Sequence, residues 1–136
     1  MNNKSIRWQQ RFENLTKAYG QLKNNLSIAK PNEAEQQGII KSFEFTFELS
    51  WKTLKDYLES QGVVALSPRE VIKQAFHLEF LKDGDIWIEM LENRNLMAHT
   101  YNEQYAAKAL NLIKAHYFTS ISHLIIFFES KISSDR

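Results

Sequence analysis

The residues best suited to chemistry lie in one stretch, residues 92–101, which reads ENRNLMAHTY. An imidazole titrates near neutral pH, so that of His99 can take a proton from a ribose 2′-hydroxyl or give one to a leaving oxygen. The guanidinium of Arg94 can stabilise the additional negative charge on a pentavalent phosphate. Together these two side chains permit RNA cleavage without a metal ion.

Two further polar residues of this stretch could assist. In a helix Asn95 and His99 are i,i+4 neighbours, so the amide could orient the imidazole. Tyr101 offers a hydroxyl that could bind phosphate or accept a modifying group. Arg94 and His99 are roughly 140° apart around an unbroken helix. The two side chains can reach one phosphate if the long arginine side chain spans the gap, if the helix breaks before Asn102, or if a second copy supplies one of them across a dimer axis. Alternatively, both residues make purely structural hydrogen bonds.

Apolar side chains recur at spacings of three and four residues in five segments, which is the pattern of amphipathic helices. The first stripe, residues 8–26, predicts a helix that ends near Pro31. The second stripe, residues 40–58, predicts a helix that stops at Gly62. Because the link between them is short, we expect these two helices to pack antiparallel.

Three further helices are expected to follow. Ser67 and Glu70 have the spacing of a capping box with proline at the first helical position, and this helix closes between residues 77 and 80. Asp85 is the expected N-cap of a fourth helix. Asn102 is expected to cap the fifth, whose predicted apolar stripe comprises Tyr105, Ala109, Leu112, Ile113, His116, Tyr117, Leu124 and Phe128.

Composition excludes several classes of protein. The chain has 136 residues and 16.0 kDa, which predicts a single domain over residues 1–136. A formal charge of +1 argues against a protein that coats long nucleic acids. Without cysteine, and with four histidines in no ligand pattern, neither a disulfide, a metal site nor a cofactor is expected. No targeting segment is visible, so we expect a cytoplasmic location.

Other charged residues are open to two interpretations. Glu44 and Glu48 form an i,i+4 carboxylate pair, but Lys41 and Lys52 favour an ion-paired helix face, from which Glu48 could still face the motif. The basic residues of the first helix could contact phosphate, although a solvated face is the simpler interpretation. The second helix is apolar on more than one face, which is typical of burial in the core or against a second copy. The basic residues in question are Lys4, Arg7 and Arg11.

The stretch from Arg94 to Tyr101 resembles the Arg-x-x-x-x-His-x-Tyr motif of HEPN proteins that are paired with minimal nucleotidyltransferases. Residues 43–62 (FEFTFELSWKTLKDYLESQG), 67–76 (SPREVIKQAF) and 85–103 (DIWIEMLENRNLMAHTYNE) are similar to the nucleotidyltransferase substrate-binding protein family, a branch of HEPN. The resemblance covers most of residues 7–128.

The resemblance implies an all-α, up-and-down bundle that forms a homodimer and associates with a minimal nucleotidyltransferase encoded by a neighbouring gene. It implies a metal-independent ribonuclease toxin in which Arg94 and His99 are the catalytic pair, Asn95 is a supporting residue, and Tyr101 is adenylylated by the partner. This chain has no Gly-Ser pair followed by Asp-x-Asp, so the partner would supply nucleotidyl transfer. The alternatives are a non-catalytic subunit that binds nucleotide or substrate, and a dimeric interaction module with a decayed site.

Overall fold

The structure, a computed structural model, describes residues 3–94, 97 and 102–134, with the side chains of residues 133 and 134 left out. Within these ranges the secondary structure is entirely helical, as the sequence predicts. None of the described helices is both long and apolar enough to cross a membrane. The elements are α1 (Asn3–Leu26), α2 (Glu33–Ser60), α3 (Pro68–His77), α4 (Gly84–Glu92), α5 (Glu103–Leu112), a π-helical segment (Ile113–Tyr117) and α6 (Phe118–Ser134).

The ends of the first two helices are set by local hydrogen bonds. α1 ends at Leu26, before the predicted position near Pro31, because the Ser27 hydroxyl and the following amides bond the last carbonyls of the helix. α2 begins with a capping box in which Asn32 and Glu35 each accept the other's backbone N–H. Gly62 follows α2 with φ of 83°, a left-handed conformation that glycine adopts without strain.

The N-cap predicted for α3 is confirmed, and the N-cap predicted for α4 is wrong. Ser67 accepts the Glu70 N–H, as predicted, while the Glu70 carboxylate accepts the N–H of Leu66. Asp85 does not cap α4, which already begins at Gly84. Asp83 precedes this helix, and its carboxylate accepts a hydrogen bond from Ser120 on α6 instead of capping.

α2 lies at the centre of the bundle, because its buried side chains meet rings from most of the other elements. Tyr57 contacts Trp8 of α1 and Phe128 of α6, with ring centroids 5.1 Å and 5.6 Å away. Nearer the start of α2, Phe43 stacks on Tyr117 of the π-helical segment at 5.4 Å, and Phe47 stacks on Trp87 of α4 at 6.1 Å. The same apolar cluster therefore joins α1, α4, the π-helical segment and α6 through α2.

Two ion pairs fasten α1 to α2 in the antiparallel arrangement that the sequence predicts. Arg7 lies 3.6 Å from Glu59, and one turn later Arg11 lies 2.6 Å from Asp56. The side chain of Asp56 is only 8% exposed, so Arg11 compensates a carboxylate that burial would otherwise destabilise. These two arginines thus contact carboxylates of α2, and more than half of the Arg7 side chain stays exposed.

A π-helical segment interrupts the predicted fifth helix. The N–H of Phe118 donates to the carbonyl of Ile113, an i→i+5 bond that places more residues in the turn than an α-helix does. The turn rotates His116 to the surface, and Tyr117 takes the place in the core. The prediction that His116 lies in the core is wrong for this reason, and Tyr105 is also exposed, beside a core stripe that begins at Ala106.

Candidate functional site

Arg94 follows directly on the end of α4 and reaches across to α2. Its Nη1 atom donates to Oε1 of Glu48 at 3.1 Å. The two side chains are 47% and 35% exposed, so the pair lies at the surface. Two residues that the sequence assigns to the site, 46 positions apart in the chain, are therefore in contact.

The carboxylate of Glu48 has a second donor on its own helix. Nε1 of Trp51 donates to Oε2 at 3.0 Å, and these residues are i,i+3 neighbours. The indole ring is largely buried, so the donor belongs to a side chain whose rotamer is fixed by core packing. Both oxygens of Glu48 are engaged, which holds the carboxylate in one orientation towards Arg94.

The residue before Arg94 is tied to the π-helical segment. Nδ2 of Asn93 donates to the Tyr117 hydroxyl at 2.7 Å, and that hydroxyl donates to Oε2 of Glu89 at 2.8 Å. Burial raises the pKa of Tyr117 well above its ordinary value; the bond from Asn93 opposes this rise, and Glu89 adds to it. The phenol therefore stays protonated and joins the C-terminal end of α4 to the π-helical segment. Sequence reasoning missed this network.

Three of the predicted site residues, Asn95, His99 and Tyr101, lie outside the described residues. The structure describes what flanks them. Met97 is buried, and its N–H donates to the Asn93 carbonyl at 3.0 Å. On the other side, the Asn102 side chain accepts the N–H of Gln104 at 2.8 Å and caps α5, as predicted. The motif thus starts at the end of α4 and leads into the start of α5.

The neighbouring carboxylate differs from Glu48. Burial raises the pKa of Glu44, and the positive charge of Lys41 opposes this rise. Glu48 pairs with Arg94 of the motif and not with Lys52, so it faces the motif, which is the other interpretation that the sequence allowed. In the part of the chain that the structure describes, no group of three or more His, Cys, Asp or Glu residues could hold a metal ion.

Comparison with known proteins gives the class to which this fold and site belong. Residues 10–130 match the family model described as "Nucleotidyltransferase substrate binding protein like", so the chain belongs to this family. The membership that the motif predicts is therefore confirmed.

Two relatives agree with this assignment. The chain is 28% identical over 74 residues to the probable ribonuclease HepT of Haemophilus influenzae, a match that spans about half the length of that relative (51%) and 51% of this chain. A crystal structure of a protein from Thermus thermophilus superposes with a TM-score of 0.73 at 32% identity. That superposition covers 82% of this chain and 95% of the other, which confirms the predicted helical fold.

Replacing Tyr117 with phenylalanine should test the network that fixes the end of α4. The substitution keeps the ring but leaves Asn93 and Glu89 without their shared partner, so we expect a loss of about 1–3 kcal/mol in the free energy of unfolding. Urea denaturation followed by circular dichroism measures this. Tyr105→Phe, at an exposed position, is the matched control and should change stability by less than about 0.5 kcal/mol. Equal stability of the two variants would show that the network contributes nothing.

Proposed function

We propose that this chain is the HEPN subunit of a two-component nucleotidyltransferase module and acts as a metal-independent endoribonuclease. The observation that carries the proposal is the position of Arg94, the first residue of the motif, at the surface. Its contact with Glu48 uses one guanidinium nitrogen. Since a guanidinium has five N–H donors in a planar fork, it can bind a phosphate while Glu48 holds it.

The proposed chemistry assigns His99 as general base and acid. His99 takes the proton of a ribose 2′-hydroxyl while the 2′-oxygen attacks the adjacent phosphorus. Arg94 stabilises the charge on the pentavalent phosphate, and His99 returns the proton to the leaving 5′-oxygen. The products are a 2′,3′-cyclic phosphate and a 5′-hydroxyl. In this scheme Asn95 orients the imidazole and Glu48 positions Arg94.

Membership of the nucleotidyltransferase substrate-binding family supports a nucleotidyltransferase partner encoded by a neighbouring gene. In this proposal the partner adenylylates Tyr101 and thereby neutralises the toxin, because the added AMP group brings bulk and negative charge into the motif that binds the RNA phosphate. The chain would form a single domain over residues 1–136 and act in the cytoplasm as a homodimer. The dimer would bring the motif residues of both protomers to a shared cleft.

A second candidate function is a non-catalytic subunit that presents nucleotide or acceptor substrate to the partner enzyme. The family's own description, as a substrate-binding protein, favours it. The same half-exposed Arg94 would hold the phosphate of the bound nucleotide. The two functions differ in whether His99 is needed for turnover.

The purified protein should cleave a structured RNA in the presence of EDTA and leave 2′,3′-cyclic phosphate ends. His99→Ala should lower the cleavage rate at least about 100-fold, which is the usual contribution of a general acid or base. His116→Ala is the matched control, because this imidazole is exposed on the π-helical segment, and its rate should equal that of the wild type. Gel electrophoresis and end-group analysis measure both.

Cleavage that persists in His99→Ala would remove this residue from the mechanism. A wild-type protein that binds nucleotide in calorimetry but neither cuts RNA nor inhibits growth would establish the binding-subunit function instead.

Incubation with the partner nucleotidyltransferase and ATP should add the mass of AMP to a peptide containing Tyr101 and stop RNA cleavage. Tyr101→Phe should remain unlabelled and stay active in the presence of the partner. Tyr105→Phe is the matched control, since this exposed tyrosine lies four residues after Tyr101 in the sequence, and this variant should be labelled like the wild type. Mass spectrometry that finds the label on any other residue would contradict the proposed role of Tyr101.

A further inference from the structure

One stripe in the middle of α2 stays at the surface, although α2 contributes many buried side chains to the core. Lys41, Phe45, Glu48 and Lys52 follow one another at spacings of four, three and four residues, which places them on one stripe. The two lysines are exposed, and Glu48 carries the contact with Arg94. We call these four residues the α2 stripe.

Phe45 is 58% exposed, which is unusual for a phenylalanine in the middle of a central helix. Among the described residues no aromatic ring stacks on it. Phe76, the other strongly exposed phenylalanine, has a structural role, because its ring covers Gly84 so closely that an added Cβ would lie 2.6 Å from it. Nothing of this kind accounts for Phe45.

The position of Phe45 on α2 places a free aromatic face one turn from Glu48, the residue that Arg94 contacts. Residues three apart on a helix have Cβ atoms about 5–6 Å apart, so Phe45 and Glu48 are neighbours on the surface. A nucleotide carries a flat base and a charged phosphate on the same sugar. The α2 stripe and Arg94 offer the matching pair, an exposed ring next to a half-exposed guanidinium.

We propose that Phe45 is a stacking platform for a nucleobase whose phosphate is bound by Arg94, with Lys41 and Lys52 contacting the phosphates on either side. This inference rests on the proposed function and extends it, because it names a base-binding residue on α2, outside the motif. Stacking on an aromatic ring tolerates any base, so the subsite selects unpaired nucleotides rather than a particular sequence.

The composition of the α2 stripe favours a nucleotide over a second copy of the chain as its occupant. The core of a protein–protein interface is depleted in lysine and glutamate. Here a single apolar side chain shares the stripe with Lys41, Glu48 and Lys52, and Glu48 carries the contact with Arg94. Three cations against the single carboxylate of Glu48 on this face suit a phosphate backbone; the neighbouring Glu44 is half-buried, and burial raises its pKa.

The test compares two short single-stranded oligonucleotides that carry 2′-O-methyl groups, so that neither can be cleaved, and of which one is abasic. For the base-containing strand, Phe45→Ala and Phe45→Leu should weaken binding about 5- to 150-fold in fluorescence anisotropy, and Phe45→Trp should retain it. For the abasic strand all three variants should bind like the wild type. Val64→Ala, at another exposed apolar position, is the matched control and should change neither affinity.

A base and its phosphate can come from a free nucleotide or from a nucleic-acid strand, and competition with ATP distinguishes the two. Displacement of the base-containing strand by ATP, with the same dependence on Phe45, would show that a free nucleotide also occupies the subsite; no displacement would restrict it to a strand. Both results require the dependence on Phe45 that the proposal states.

Two results would overturn the proposal. Equal affinity of the wild type for the two strands would show that no base is bound. Full retention of binding by Phe45→Leu, with Phe45→Ala shifting the protein from dimer to monomer in sedimentation velocity, would show that a second copy covers the α2 stripe. If wild-type protein binds the base through Phe45 but does not cut RNA, the subsite stands and the nuclease proposal fails. If the wild type cuts RNA and Phe45→Ala cuts it with unchanged KM, the nuclease proposal stands and the subsite proposal fails.

Discussion

The carboxylate of Glu48 joins the central helix to the motif, and the arrangement of the site depends on it. One oxygen accepts from Arg94 and the other from the indole of Trp51, whose ring lies in the core. A charged pair at a surface contributes little to stability by itself. Its value here is positional, because it fixes where a long, flexible cation lies relative to α2.

Packing around α2 provides the rigid support that this pair needs. Phe43 and Phe47 on its buried side stack on Tyr117 and Trp87, so the π-helical segment and α4 are held against the same helix. Tyr117 then bonds Asn93 at the end of α4. Arg94 is thus positioned twice, by its contact with Glu48 and through the backbone that Asn93 anchors. A site built in this way is preorganised, since its supporting side chains are themselves locked by packing.

Local patterns predicted most of the fold, whereas contacts between distant residues were beyond them. Apolar spacing and the cap at Asn102 are read from neighbouring residues, and both agree with the structure. The exposure of His116 depends on an i→i+5 bond, which periodicity does not show because the same side chains also fit an α-helix. The pairing of Arg7 and Arg11 with α2 depends on how two helices lie side by side. The sequence indicated that Glu48 could face the motif, and the structure shows that its partner there is Arg94.

If Glu48 acts through Arg94, the two residues must be coupled in a double-mutant cycle on oligonucleotide binding. Affinities of the wild type, Glu48→Gln, Arg94→Ala and the double variant are measured for one uncleavable single strand. The account predicts that Glu48→Gln changes the affinity of the wild type but not that of Arg94→Ala, with a coupling energy of at least about 0.5 kcal/mol. Effects that simply add would show that Glu48 and Arg94 act independently and would contradict the account.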